Sequence, residues 1–259
     1  MKRTNCALVG ILAVMAQDLA FAAPIGGQGT WASTLLGRDI AGREVSASSS
    51  SAVFFYDTTL NVTWLREARP NSVGGSNSWA SVSGWADSLE VGGFSDWRLA
   101  KVLDSGAPGE QCSFGGTDCG YNVETQVGGD YSELAHLFHV TLGNRSAYDA
   151  SGAFVGGSSG AGWGLENTAY FNFSYPDNPT EMQFWSQTKS NVSDRAWMFR
   201  FYDGTQFDAA VYLPGQGLAL RDGDVLRVPE PQSLPTVLAA LMGLWLVRRS
   251  TTKKLHSQL

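Results

Sequence analysis

Cysteine, histidine, basic residues and long apolar runs are all scarce in this chain. Three cysteines and three histidines stand among 259 residues, too few for a cysteine-dense scaffold or a repeated Cys/His metal module. The apolar run from Leu234 to Val247 has only 14 residues, about 21 Å as a helix, against the ~17 residues usually needed to cross a bilayer. Lys and Arg number 18 against 24 Asp and Glu, a net charge of −6. Residues 23–227 are more acidic still, with 12 basic and 22 acidic side chains. An acidic body without a basic stripe argues against a nucleic-acid partner. A phosphate loop, a dinucleotide fingerprint and a zinc-ligand set are all missing, so no cofactor and no metal are expected. Internal repeats at solenoid or propeller periods are absent as well.

What the chain does contain is uneven. Its start, MKRTNCALVGILAVMAQDLAFAAP, has a basic pair, Lys2 and Arg3, then an apolar stretch from Cys6 to Ala16 broken only by Gly10. Ala20-Phe21-Ala22 supplies the small-x-small pattern of a signal-peptidase site, so residues 1–22 read as a signal peptide cleaved after Ala22. The alternative, an N-terminal anchor, is disfavoured by the shortness of the run. Near the other end, Arg248, Arg249, Lys253 and Lys254 follow the 14 apolar residues. Positive flanks mark the cytoplasmic side of a span, so the body is expected outside the cytoplasmic membrane. A cleaved signal peptide requires the same orientation. Export leaves Cys112 and Cys119, in QCSFGGTDCG, as an even pair around a Gly-Gly turn. In an oxidising compartment a disulfide is the default, contributing about 2.5 kcal/mol for an eight-residue loop in the chain-entropy model.

The body, residues 23–227, suits one domain of about 200 residues. Thirty glycines and 12% aromatics suggest many turns pinned by large side chains. Two helices are expected. One lies in SNSWASVSGWADSLEVGG, where Trp79, Val82, Trp85, Ala86 and Leu89 fall at helical spacing and Gly92-Gly93 stops them. The other is DYSELAHLFHVTLGN, with Asp130 and Glu133 as a capping box, an apolar stripe from Leu134 to Leu142, and Gly143 as terminator. Strands are expected at SAVFFYD, NVTWL and Asp96–Leu99, in the hairpin RAWMFRFYDGTQFDAAVYL turned by Asp203-Gly204, and at GLALRDGDVLRV. Together these predict an α+β domain whose antiparallel sheet is dominated by its C-terminal half.

Catalytic patterns are thin. Gly156-Gly157-Ser158-Ser159-Gly160 matches a nucleophile elbow but lies in a glycine-serine loop, and His256 is the only downstream histidine. His136 and His139 stand i and i+3 on the second helix. At ~100° per residue from Leu134 they fall near 200° and 140°, against a stripe near 10°, which places both on a solvated face. Among 22 carboxylates in the body, spacing alone selects no glycosidase pair. Four Asn-x-Ser/Thr sequons occur, at Asn61, Asn144, Asn172 and Asn191.

Two family resemblances add to this reading. Val228-Pro229-Glu230-Pro231, then the short apolar run 234–247, then Arg248-Arg249, resembles the PEP-CTERM sorting signal of Gram-negative bacteria that make exopolysaccharide. That resemblance implies transient membrane insertion of the segment 228–259. It also implies recognition of Pro229, Glu230 and Pro231 by an exosortase-type membrane peptidase, with Arg248 and Arg249 as the stop-transfer charges and 248–259 as a basic tail. Ten residues follow Arg249, more than such proteins usually carry. The stretches LLGRDIAG, FYDTTLNVTWL, GGFSDWRLAKVLDSG, GTDCGYN, SELAHLFHVTLGN, FWSQT, AWMFRFYDG and LALRDGDV are similar to the C-terminal domain of a collagen-like bacterial adhesin, the Lcl C-terminal family. They cover most of residues 30–226, with Ala100 where members commonly have proline. This second resemblance implies a C-type-lectin-like fold that binds glycan or another surface protein without catalysis. The adhesin relative is associated with polyanionic glycans, whereas this body is acidic. Trp97 and Trp197 are expected in the core, and Trp185, Gln187, Asp203 and Gln206, on late-sheet loops, are the candidate ligand residues. A polysaccharide hydrolase and a purely structural matrix component are the alternatives.

Overall fold

A computed structural model describes residues 25–69, 77–104, 125–128, 131–149, 153–157, 162–173 and 182–226. The signal peptide, Asp130, the Cys112–Cys119 pair, Ser158–Gly160 of the elbow-like loop and the whole sorting segment lie outside the described residues. Among the described residues, no helix is long and apolar enough to cross a membrane.

The elements run α1 (Trp31–Thr34), β1 (Leu35–Arg38), β2 (Glu44–Val45), β3 (Phe54–Asp57), β4 (Val62–Leu65), α2 (Trp79–Asp87) and β5 (Arg98–Leu99). Then come α3 (Glu133–His136), continued by a π-helical turn (Leu137–Thr141), β6 (Gln183–Lys189), β7 (Arg195–Arg200), β8 (Thr205–Ala210) and β9 (Ala219–Asp222). Six strands form one sheet in the order β2-β1-β3-β4-β9-β5, and β6-β7-β8 form a second. Every strand pair is antiparallel, so the domain is α+β. The expected dominance of the C-terminal half is corrected: the larger sheet is built mainly from β1 to β4. Its N-terminal strands are short, and LLGR hides a charge that pattern-reading takes for a surface position. Arg38 is buried because Asp224 receives its guanidinium, at 3.1 Å from Nε and 2.8 Å from the terminal nitrogen.

Strand β7 explains why its sequence is apolar on both faces. Trp197 and Phe199 point into one core with Phe138, Phe171, Phe173 and Leu220. Ala196 and Met198 point into another with Phe54, Trp97, Trp185 and the α2 residues Val82 and Ala86. A strand covered on both sides reads as a continuous apolar run rather than an alternation. Helix α2 stands where its periodicity predicts. Trp97 stacks on Phe54 at 5.5 Å between ring centres, and Trp97 and Trp197 are both core residues, as expected.

The second predicted helix forms differently. Ser132 is the cap residue before Glu133, and Asp130 of the expected capping box lies outside the described residues. The Glu133 carboxylate accepts from Arg98 and from the Lys101 amide. Past Leu137 the helix widens into its π turn. Gly143, at φ +69°, ends it beside Gly29, where a Cβ on Gly143 would come within 2.3 Å of the Gly29 nitrogen. Such a contact leaves room for glycine only.

Candidate functional site

The ends of five segments converge on an open groove of about 650 Å³. Leu60, Asn61 and Val62 enter from the β3–β4 turn and the start of β4, and Arg98 with Lys101–Asp104 from β5 and the chain after it. Tyr131 and Glu133 come from the start of α3, Thr188 from the end of β6, and Asp222 from the end of β9. Val62 and Val102 are buried and form an apolar floor, Tyr131 stands half-buried, and Asn61 and Lys101 are exposed.

One guanidinium organises the charges. Arg98 grips both oxygens of Glu133 at 2.8 Å, a bidentate pair, and donates also to Asp222. The Glu133 carboxylate is nearly enclosed, whereas the Asp222 side chain is 71% exposed. Burial by itself would push Arg98 down; its bonds and charges to Glu133 and Asp222 outweigh that and hold it above its ordinary value. The same hydrogen bond from Arg98, against a smaller effect of burial, holds the Asp222 carboxyl below the usual range. Burial, reinforced by the charge of Glu133, raises the Tyr131 phenol. Beneath the rim, Thr188 clasps Val102, accepting from its amide at 3.1 Å and donating to its carbonyl at 3.2 Å. Asp104 accepts the Trp197 indole N–H at 2.8 Å, tying the groove wall to β7.

The four residues proposed from loop position do not line this groove. Trp185 and Gln187 lie within β6 and Gln206 within β8, so only Asp203 occupies a turn. Trp185 is buried in the second core and donates to the Asn77 carbonyl. Asp203 is held by Arg200 and Thr205. Gln187 and Gln206 stand behind the groove: the Gln187 amide bonds the Ala100 carbonyl at 2.8 Å, and Gln206 Nε2 the Leu103 carbonyl at 3.0 Å. Gln206 belongs to the strand that follows the Asp203-Gly204 turn, and Trp185 and Gln187 to a strand ahead of the expected hairpin.

The solvated-face reading of the histidines is also corrected. His136 is buried, with Nδ1 2.7 Å from the Thr125 carbonyl. His139 lies between the Asn144 and Gly204 carbonyls, at 3.3 and 3.2 Å. Loops on both sides wrap the face that a helical wheel leaves open, and the π turn moves His139 out of α-helical phase. Burial lowers the His139 pKa to about 4, although both carbonyls work in the opposite direction. Among the described residues, no three His, Cys, Asp or Glu side chains gather as a metal would require. Of the sequons, Asn61 and Asn191 are exposed, Asn172 donates to Glu67, and Asn144 is buried with its amide on the Asn167 carbonyl.

A carboxyl kept protonated at neutral pH would mark a general acid. Burial raises the Asp57 carboxyl. Asp57 lies inside the fold, accepting from the Thr59 and Leu60 amides and the Thr141 hydroxyl, and does not line the groove. The groove lining offers hydrogen-bonding groups, charges of both signs and a ring face. No family model, no curated protein and no solved structure matches this chain.

Proposed function

We propose that this chain is an exported protein of a Gram-negative envelope whose C-type-lectin-like domain binds a glycan, without turning it over, in the groove beside Arg98. In this reading signal peptidase removes residues 1–22. The helix at 234–247 holds the chain in the inner membrane for a time, and an exosortase-type peptidase acts at Pro229-Glu230-Pro231. The domain then serves the cell surface or an exopolysaccharide matrix, where extracellular polysaccharide is its partner.

The observation that carries the binding role is the groove's composition. It combines an apolar floor, a half-buried tyrosine ring and a rim of Asn61, Lys101 and Asp222. Pyranose rings offer an apolar face and a hydroxyl rim of the matching kind. Binding is favoured over hydrolysis because Glu133 and Asp222 share the Arg98 guanidinium, whereas a glycosidase needs one carboxyl free to donate a proton.

A glycan array probed with the exported protein, paired with an assay for reducing ends released from host exopolysaccharide, tests the reading. Saturable binding that Tyr131→Ala weakens at least about tenfold, roughly the worth of one aromatic contact, without released ends, is expected. Released ends would identify a hydrolase instead, and the absence of any saturable ligand a structural matrix component. For sorting, mass spectrometry of the protein from its own host should find the C-terminus near residues 229–231; a chain intact to Leu259 would overturn that step.

A further inference from the structure

The groove's charges say more about the ligand than its shape does. Three carboxylates, Asp104, Glu133 and Asp222, line it against two cations, Arg98 and Lys101. Arg98 is not available to a ligand anion. One terminal nitrogen donates to the Leu99 carbonyl and to Glu133, the other to Glu133 and Asp222, and Nε is buried. That leaves Lys101 as the exposed cation of the lining. Asp222, by contrast, meets Arg98 through Oδ1, and its side chain is 71% exposed, so this lining carboxylate keeps surface open to a ligand.

Resting on the glycan-binding reading above, we infer that the groove selects amino-sugar glycans with free amines, the Asp222 carboxylate receiving a ligand ammonium while the Tyr131 ring faces a neighbouring pyranose. The acidic body, with 22 carboxylates against 12 cations over residues 23–227, works in the same direction by repelling polyanions and drawing polycations toward the mouth. The hydrogen bond from Arg98 also holds the Asp222 carboxyl below its usual range, which favours the anion that an ammonium would meet. Lys101 opposes the preference and limits its strength.

Isothermal titration of the full chain with three oligosaccharides of equal length separates the possibilities: a glucosamine oligomer, its fully N-acetylated form and a galacturonate oligomer, at low and raised salt. The free-amine oligomer should bind about threefold or more tighter than the acetylated one, the worth of an exposed ion pair, and the advantage should shrink with salt. Asp222→Asn should abolish the advantage, and Lys101→Glu should enlarge it. Lys101 is exposed and makes no ion pair among the described residues, so the second variant tests the idea even if the first is poorly folded. Equal affinity for the free and acetylated oligomers, or tighter binding of galacturonate, overturns the inference and leaves the groove a glycan site. Binding of none of the three to the groove also overturns the inference, and the glycan array then decides separately whether the groove takes any glycan.

Discussion

At the scale of single residues, Arg98 does more than any other side chain near the groove. It ties α3 through Glu133 and β9 through Asp222, while β5 supplies its backbone. The two carboxylates are not equal partners. An exposed pair such as Arg98–Asp222 is worth about 0–1 kcal/mol. The enclosed Glu133 would be stranded by losing its cation, which costs about 3–5 kcal/mol. Arg98→Ala should therefore lower the unfolding free energy by about 3 kcal/mol or more, with Asp222→Asn near 1 kcal/mol or less. Arg98→Lys should recover only part of the loss, because a point charge cannot grip both Glu133 oxygens. Urea titrations of the three variants check the order; similar losses for Arg98→Ala and Asp222→Asn would show that Glu133 does not depend on the guanidinium.

Among elements, the π turn carries a pH signature. A neutral His139 donates from one ring nitrogen only, so one of its two carbonyl contacts is not a hydrogen bond. Protonation would let both nitrogens donate, yet burial outweighs that gain and lowers the folded pKa to about 4 from 6.5. Between those values the unfolded chain binds a proton that the folded chain refuses, so stability is complete above pH 6.5 and declines as the pH falls toward 4. At ~1.4 kcal/mol per unit the loss approaches roughly 3 kcal/mol. Asp57, raised by burial, acts in the opposite sense in the acid part of this window. Asp39, Asp96 and Asp222, all lowered by arginine partners, lose their contributions only as the pH falls below 3.8. His139→Gln should flatten the change in urea midpoint between pH 7 and 4.5; an unchanged slope would mean that His139 is not the titrating group. Helix α2 is legible in the sequence because its apolar positions keep helical spacing, and β3, β4 and the β7–β8 hairpin because they are β-rich runs bounded by turn residues. The π turn is not, since its ELAHLFHVT stretch has an ordinary helical pattern and only loops from residues 125, 144 and 204 decide which face is wet. The groove was illegible for a related reason. Glu133 fits a capping box, Arg98 and Asp222 fit two separate strands, and nothing local says that they meet.

For the whole molecule, the decisive placement is that of β9. Although it comes last among the strands, it lies between β4 and β5, pairing Thr63 with Arg221 on one side and Arg98 with Leu220 on the other. Ala219, Leu220 and Val225 are buried, and Asp224 holds Arg38 and caps the Leu226 amide. The fold thus holds its chain as far as Leu226, three positions before Pro229 in the sequence. A peptidase acting at Pro229-Glu230-Pro231 would leave every contact among the described residues, which end at Leu226, on its product. A chain ending after Val228 should melt cooperatively within about 2 °C of the full chain, a difference below roughly 1 kcal/mol for a domain of this size. A chain ending after Leu218 should show no cooperative melt, because β4 and β5 would lose their shared partner and the buried side chains of Ala219, Leu220 and Val225 would go with it. Circular dichroism of the two truncations decides the matter. If the shorter chain melts like the longer one, β9 does not close the sheet; if the longer chain is strongly destabilised, residues beyond 228 belong to the fold and release by the peptidase would unfold its own product.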